Sequence, residues 1–557
     1  MPAISIDEAF AVALQNQHAS RFMEAESIYR QILNFEPRHT EAMQMLGVLC
    51  AQVGRRTEAI ELIQRAIQLK PNEPNYYNNL GLALAAHGQM EAAINAYRRA
   101  IELNPDVPVI HNNLGNALKN SGEPEAALDA YRAALRLNPN AADATNYLFF
   151  LHFDANSTPQ SILIEHRRWN EKYARPLMPA HKRFSNDRSI DRRLRVGYIS
   201  SAFQDHPVGR FLLPLFENHD HQAFEFVCYS DVKAFDAMSQ RLAGYADQWH
   251  DIVDLNDEQL AQRIEQDGVD IVVDLTLHGD GSRLLALARK PAPVQVSYLG
   301  YIGTTGMDAV DYRFTDPYID PPGLHDQWYS EKSVRLPGVF WCYPPPPQSP
   351  PVCPLPALLN GHITFGSMNN LCKVTSATWA AWRQVMRAVP NSRLVIHAHE
   401  GGHRQRIADR FAKDGIPAHR LDFVGRRPLD EYFAKYNQID ISLDSFPYAG
   451  GTTTCDSLWM GVPVVSLAGQ TGCSRGGLSI LSNVGLPELV ASSISQYVDI
   501  AVQLSLNPAR IAELRSTLRQ RMMASPLMDG VRFARGVEDA FRAMWSEWCG
   551  AATVGHS

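Results

Sequence analysis

The sequence predicts an all-α repeat array followed by an α/β region of two Rossmann-like lobes. Three observations carry that expectation. The first 150 residues repeat with a period of 34. From residue 193, short runs rich in Val, Ile and Tyr alternate with amphipathic stretches, the signature of βαβ units and parallel sheets. The segment FWCYPPPPQSPPVCPLP, 340–356, is too rich in proline for a sheet interior and divides that region in two.

Four columns in register define the repeat. Prolines stand at Pro37, Pro71, Pro105 and Pro139, and Leu-Gly pairs end at Gly47, Gly81 and Gly115. Alanines recur at Ala25, Ala59, Ala93 and Ala127, each followed four residues later by a large side chain: Tyr29, Ile63, Tyr97, Tyr131. This is the tetratricopeptide (TPR) pattern. The small residues let paired helices approach closely, and the large one fills the gap beside them. The prolines are expected at the starts of the following helices, where a missing N–H costs nothing. A TPR stack winds into a superhelix whose concave face suits extended peptides. Asn79 and Asn113 hold equivalent positions just before the Leu-Gly pair. Two readings stay open for them: amides that clamp a peptide backbone without reading its sequence, or side chains that face solvent or a turn.

Residues 151–192 read as a connecting segment, helical around SILIEHRRWNEKYA. From His166 to Arg195 there are ten Lys/Arg against three Asp/Glu, which reads as a solvated helix face, with attraction of an anionic substrate as the alternative. In the first lobe, strands are expected near 195–200, 224–230, 270–275 and 294–300; in the second, near 362–368, 393–398, 421–425, 440–446 and 463–467. The chain from about 507 reads as helical, with Trp545 and Trp548 packed. The expected divisions are a repeat array over 1–150, a connector over 151–192, a first lobe over 193–345, a linker over 346–361, a second lobe over 362–525 and a C-terminal helix over 526–557.

Composition narrows the classes of partner. The net charge over 557 residues is −7 and no basic run exceeds a triplet, so nucleic acid is not an expected partner. No stretch approaches the ~18 apolar residues of a membrane span, and the N-terminal MPAISIDEAFAVAL lacks the marks of a signal peptide. The eight cysteines include no CxxC pair, which argues against a zinc cage and suits a reducing compartment. The expected setting is cytoplasmic, without a membrane partner.

Ligands of open α/β sheets bind beyond the carboxyl ends of strands, so chemistry is expected in strand-to-helix loops. The sharpest is DSFPYAGGTTTCDSLWMGVPVV, 444–465. Gly450, Gly451, Thr452 and Thr453 open a helix there, and a helix start with close backbone approach is a phosphate site. Asp456 is expected in the first turn, placed to accept from sugar hydroxyls; ordinary N-capping by threonine is the alternative. FGSMNNLCKV, 365–374, sets Asn370 and Lys373 in a loop after a strand, where a lysine neutralises a phosphate as a point charge. His206, in SSAFQDHPVGRFL, precedes a helix and is a candidate for acid–base work or for a structural loop role. The turns HGDG and GYIGTTG, with His278 in the first, are further candidates to line a cleft. There is no D-x-D motif, no GxxxxGK[ST] loop and no G-x-G-x-x-G after a strand, so a metal-dependent nucleotide-sugar site, an ATPase and a dinucleotide dehydrogenase are not expected.

HPVGRFL, RKPAPVQVSYLGYIGTTG, NNLCKV and AGGTTTCDSLWMGVPVVSLAG, together with the TPR array, resemble the O-linked N-acetylglucosamine transferase family, and its bacterial members closely. The resemblance implies a GT-B fold and an inverting, metal-independent transfer of GlcNAc from UDP-GlcNAc to Ser/Thr hydroxyls of protein acceptors held by the TPR groove, with no cofactor. It implies that His206 matches a histidine proposed as general base, whose proton role is contested. Lys373 matches the lysine on the diphosphate, Asn370 a glutamine beside it, Thr452 and Thr453 the diphosphate-binding pair, and Asp456 an acidic residue at the ribose. Gly451 stands where animal members carry a histidine, Tyr432 where a histidine stacks on uracil, and Lys435 where an arginine contacts the base. His278 falls in a sugar-facing turn. The resemblance leaves two alternatives: a protein N-glucosyltransferase of the same wider family, and a TPR scaffold whose lobes bind nucleotide without turnover.

Overall fold

A computed structural model describes residues 5–138, 141–347 and 349–554. The chain divides into two compact units, Met1–Asp143 with Ala398–Arg410, and Ala144–His397 with Phe411–Ser557.

The first unit holds four helical pairs: Ile6–His18 with Phe22–Phe35, Thr40–Gln52 with Arg56–Leu69, Pro74–Ala86 with Met90–Leu103, and Pro108–Asn120 with Pro124–Leu137. The glycine column has a steric cause. A Cβ added at Gly81 would lie 2.5 Å from the Tyr97 ring, and one at Gly115 would lie 2.6 Å from that of Tyr131. The repeated small–large spacing is thus a helix–helix contact, and all four alanines and all four large side chains are buried. The proline column differs from expectation. Pro37 and Pro71 lie in the turns after Phe35 and Leu69, three residues ahead of the next helix; Pro105 does the same, and Pro139 lies outside the described residues. These prolines close helices, because the residue before a proline is steered out of helical backbone. The first-turn prolines are Pro74, Pro108 and Pro124 instead.

The second unit contains two parallel sheets. The first comprises β1 (Leu194–Ser200), β2 (Phe224–Ser230), β3 (Gln248–Asp251), β4 (Ile271–Asp274), β5 (Val294–Ser297), β6 (Tyr312–Thr315) and β7 (Lys332–Arg335), in the order β3-β2-β1-β4-β5-β6-β7. The second comprises β8 (Thr364–Ser367), β9 (Arg393–His397), β10 (Leu421–Val424), β11 (Ile441–Leu443), β12 (Val464–Leu467) and β13 (Val490–Ala491), in the order β10-β9-β8-β11-β12-β13. Central strands such as β4 and β5 are buried throughout, as parallel strands covered on both faces must be. This is the two-lobe GT-B-like arrangement. Strand order reverses between β1 and β4 and again between β8 and β11, and those two reversals are where ligands of such sheets bind.

The C-terminal helix, Gly530–Val554, returns to the first lobe. Phe541 packs against Phe224 and Phe314, and Trp545 donates to the Ser189 carbonyl at 3.3 Å. Among the described residues no helix is long and apolar enough to cross a membrane.

Candidate functional site

The reversal in the second lobe builds an anion site. β11 hands over to Asp444, a buried carboxylate that organises the loop. Its Oδ1 accepts from the Ser445 N–H at 2.8 Å, the Gly450 N–H at 2.7 Å and Asn369 Nδ2 at 3.0 Å, while Oδ2 accepts from the Ser466 hydroxyl at 2.7 Å. Gly450 must be glycine, since an added Cβ would stand 2.6 Å from the Thr454 hydroxyl. The helix Thr452–Trp459 starts at Gly451, which supplies no side-chain cap, so the first-turn N–H groups and the dipole are left for an anion. The Thr453 hydroxyl donates to Asn369, tying the helix start to the loop after β8.

Lys373 reaches the same loop from the neighbouring strand. It ends the single turn Leu371–Lys373, whose start Asn370 caps by accepting from the Cys372 N–H at 3.2 Å. Lys373 Nζ donates to the Ala449 carbonyl at 3.1 Å and lies 4.3 Å above the centre of the Tyr448 ring. Tyr448 in turn stacks on Phe153, with ring centres 4.5 Å apart. Among the described residues, no carboxylate forms a salt bridge with Lys373. Burial holds its pKa below the ordinary 10.5, with the Cys372 thiol and Asp444 pulling the other way. A buried cation lacking a carboxylate is costly, and an arriving anion removes that cost. One expectation follows for the free protein. If the protonated lysine is the active form, kcat/KM should fall as pH rises through a pKa below 10.5. An alkaline limb no lower than the ordinary lysine value, measured in a full pH profile, would count against it.

Asp456 is the fifth residue of its helix rather than part of the first turn, because the helix opens at Thr452. Its carboxylate accepts from the Tyr343 hydroxyl at 2.7 Å and the Tyr432 hydroxyl at 2.9 Å, and burial pushes its pKa up to about 6. Tyr432 also shares a 2.8 Å hydrogen bond with the Tyr436 hydroxyl, so its own hydroxyl is fixed by two partners. Lys435 ends the helix Leu429–Lys435, half-exposed, and is not drawn into this network. Trp341, from the proline-rich stretch, closes the wall beside Gly451.

The first lobe presents His206 after β1. His206 is the N-cap of the helix Pro207–Asn218, and its Nδ1 accepts from the Val208 N–H at 3.2 Å. In the neutral ring the proton therefore sits on Nε2, which is a donor. Crowding by protein atoms and the Arg210 guanidinium hold its pKa below 6.5, although the ring is exposed on one side. Gly209 lets the loop close, since an added Cβ would meet the Gln204 carbonyl at 2.4 Å.

His278, after β4, is packed into the wall instead of facing open space. It is 1% exposed, its Nε2 donates to the Thr305 carbonyl at 2.8 Å, and the His166 and Trp169 rings stand edge-on against it. Sequence reasoning passed over Asp274, at the end of β4. One of its oxygens accepts from the Leu277 N–H at 2.6 Å, the other is buried without a partner, and burial pushes its pKa up to about 7. Asn369, Asp444 and Tyr448 were passed over as well. A strand-terminal Asp in DIVVDL and in DISLDSF was the available signal.

In the first unit, Asn113 Nδ2 donates to Asn78 Oδ1 at 2.9 Å, and Asn78 Nδ2 lies 3.5 Å from Asn79 Oδ1. The two columnar asparagines are thus linked through a third.

Comparison with known proteins places these features. The model of Glycosyl transferase family 41 matches residues 174–343 and 355–537, and TPR-repeat models match 47–88, 84–122 and 108–141. A probable UDP-N-acetylglucosamine–peptide N-acetylglucosaminyltransferase SPINDLY from Oryza sativa subsp. japonica is 39% identical over 412 residues, 72% of this chain and 44% of that protein. A probable UDP-N-acetylglucosamine–peptide N-acetylglucosaminyltransferase SEC from Arabidopsis thaliana is 29% identical over 376 residues, 66% of this chain and 38% of that protein. The chain thus spans less than half the length of these curated relatives. The solved structure of a mutant of the Thermobaculum terrenum O-GlcNAc transferase superposes with a TM-score of 0.85 at 35% identity, covering 92% of this chain and 99% of that one.

Proposed function

Because the chain belongs to glycosyl transferase family 41, we propose that it transfers N-acetylglucosamine from UDP-GlcNAc to Ser/Thr hydroxyls of protein acceptors, with inversion and without a metal ion. One observation supports this most: the loops at the two strand-order reversals carry His206 after β1, Lys373 after β8 and the Gly451–Thr453 helix start after β11. Lys373 and the helix start supply the positive charge that a departing diphosphate needs, which is the office a metal ion would otherwise fill. Thr452 and Thr453 add hydroxyls beside those N–H groups, and Asn370 borders the lysine turn. Tyr432, Lys435 and Asp456 are the candidates for the nucleoside end. The relatives' names carry the choice of UDP-GlcNAc and of peptide acceptors. His206, neutral with its proton on Nε2, is suited to donate to an oxygen of donor or acceptor. His278 serves as wall.

The direct test is to offer a panel of nucleotide sugars with mixed protein and peptide acceptors, then identify the modified residue by mass spectrometry. HexNAc on Ser or Thr from UDP-GlcNAc alone is the expected result. Hexose on Asn, or UDP binding without turnover on any acceptor, would overturn it.

The TPR array is proposed to present protein acceptors, with Asn79 and Asn113 binding backbone. Two lost hydrogen bonds of ~0.5–1.5 kcal/mol each predict that Asn79→Ala/Asn113→Ala lowers kcat/KM for protein acceptors about tenfold or more. Transfer to a short peptide and UDP affinity should stay at wild-type level. Equal losses on protein and short peptide would remove the array from acceptor binding.

A further inference from the structure

At the amino ends of β2 and β3, away from the proposed transfer site, two histidines and an aspartate converge. His219 and His221 lie in the connection between the helix Pro207–Asn218 and β2, and Asp247 immediately precedes β3. One ring nitrogen of each histidine and a carboxylate oxygen of Asp247 lie within 4.8 Å of one another. The two imidazole centres are 3.9 Å apart, and His221 Nδ1 is 3.9 Å from Asp247 Oδ1.

His219 is prepared as a ligand. It is 6% exposed, and its ring stacks flat on Phe226 with centres 3.8 Å apart. Its Nδ1 lies 2.8 Å from the Phe216 carbonyl, which can only accept, so Nδ1 carries the proton and the lone pair is on Nε2. That Nε2 is buried and has no hydrogen-bond partner. Orienting a metal-binding imidazole by giving its other nitrogen a carbonyl acceptor is the usual outer-shell device of metal sites. Asp247 is anchored too, with Oδ2 accepting from the Phe226 N–H at 2.8 Å and Oδ1 from Arg193 at 2.6 Å. His221, by contrast, is exposed.

We propose that His219, His221 and Asp247 form a binding site for a divalent transition-metal ion, best suited to zinc, with water completing the coordination. Two imidazoles and one carboxylate suit Zn²⁺, whose bonds to nitrogen and oxygen run ~2.0–2.2 Å. A tetrahedron of that size needs its donor atoms closer than they now stand, and the exposed His221 supplies the movement. Arg193 competes for Asp247 and keeps the affinity moderate. The ion would clip the connection before β2 to the entrance of β3. Because β2 and β3 run parallel, that end of the sheet is opposite to the carboxyl ends where transfer is proposed. The role is structural, compatible with metal-independent transfer.

The test uses tag-free full-length protein stripped with chelator, then titrated with Zn²⁺ against a chromophoric competitor and, in parallel, with Co²⁺ followed by visible absorption. Wild type should bind one equivalent with moderate affinity, show the absorption of a low-coordinate Co²⁺ site, and gain a few degrees in Tm at saturating Zn²⁺. His221→Ala removes only an exposed ring, and Asp247→Asn keeps an acceptor for the Phe226 N–H. In chelator His221→Ala should match wild-type Tm, whereas Asp247→Asn should start lower because it loses the Arg193 ion pair; both should lose at least tenfold in affinity and lose the zinc-dependent gain. Binding that is the same in wild type and His221→Ala, or a wild-type Tm that zinc leaves unchanged, would overturn the proposal.

Discussion

Lys373→Met is expected to lower kcat for transfer by about 10²-fold or more, and to weaken UDP binding. Breaking the sugar–phosphate bond leaves extra negative charge on a diphosphate. Two sources in this site can meet it. The uncapped helix start contributes ~0.3–2 kcal/mol. A charged hydrogen bond contributes ~1.5–3 kcal/mol and strengthens as charge develops in a water-poor site. A factor of 10² corresponds to about 2.7 kcal/mol, within the lysine's share and beyond what the helix start supplies. The structure adds a reason to favour the lysine: its ammonium is held on the Ala449 carbonyl and over Tyr448, with no salt bridge among the described residues to neutralise it. Methionine keeps the unbranched shape and removes the charge. EDTA should leave the wild-type rate unchanged at temperatures well below Tm, because any ion at His219, His221 and Asp247 sits at the far end of its sheet. A fully active Lys373→Met variant, or EDTA inhibition reversed by Mg²⁺ or Mn²⁺, would show that the leaving group is stabilised otherwise.

Much of this architecture is legible in sequence wherever one residue type answers one contact. The small–large columns of the repeats are such a case, because Gly81 and Gly115 each face a tyrosine ring and Gly47 faces Ile63. Central strands such as β4 and β5 are another, being short and buried throughout. Expectation missed β3, β6, β7 and β13 for physical reasons. β3 (Gln248–Asp251) and β7 (Lys332–Arg335) are edge strands, with one side free for polar residues. β6 carries Arg313, buried in an ion pair with Asp320 at 2.8 Å, where an apolar residue is the norm. β13 has two residues.

The site divides along the same line. Lys373 and the Gly451–Thr453 helix start declare themselves locally, by residue type after a strand. Asp444 and Asn369 do not, since their meaning is a 3.0 Å hydrogen bond between residues 75 apart in sequence, created by the pairing of β8 with β11. Tyr448 is the same kind of case: it acts through a lysine and a phenylalanine that come to it from other elements.

His206→Asn should lower kcat on the order of 10²-fold while UDP affinity stays near wild type, and the choice of asparagine matters. His206 caps its helix through Nδ1, and losing a cap costs ~1 kcal/mol of stability by itself. Asparagine caps as well, so the substitution removes the ring and keeps the helix start. General acid–base losses run to ~10²–10⁴-fold, which sets the expected scale. The pH profile then separates two roles. A base must be neutral, so kcat/KM would rise with pH through the histidine's pKa, which crowding has moved below 6.5. A donor through Nε2–H works in both protonation states, so that acid limb would be absent from wild type. The Val208 N–H on Nδ1 leaves the neutral ring with its proton on Nε2, and the expected profile is therefore flat through that region. An acid limb present in wild type and abolished in His206→Asn would make His206 the base, and the ring would then have to release Val208 to accept a proton. Near-normal turnover in His206→Asn would reduce the residue to its cap.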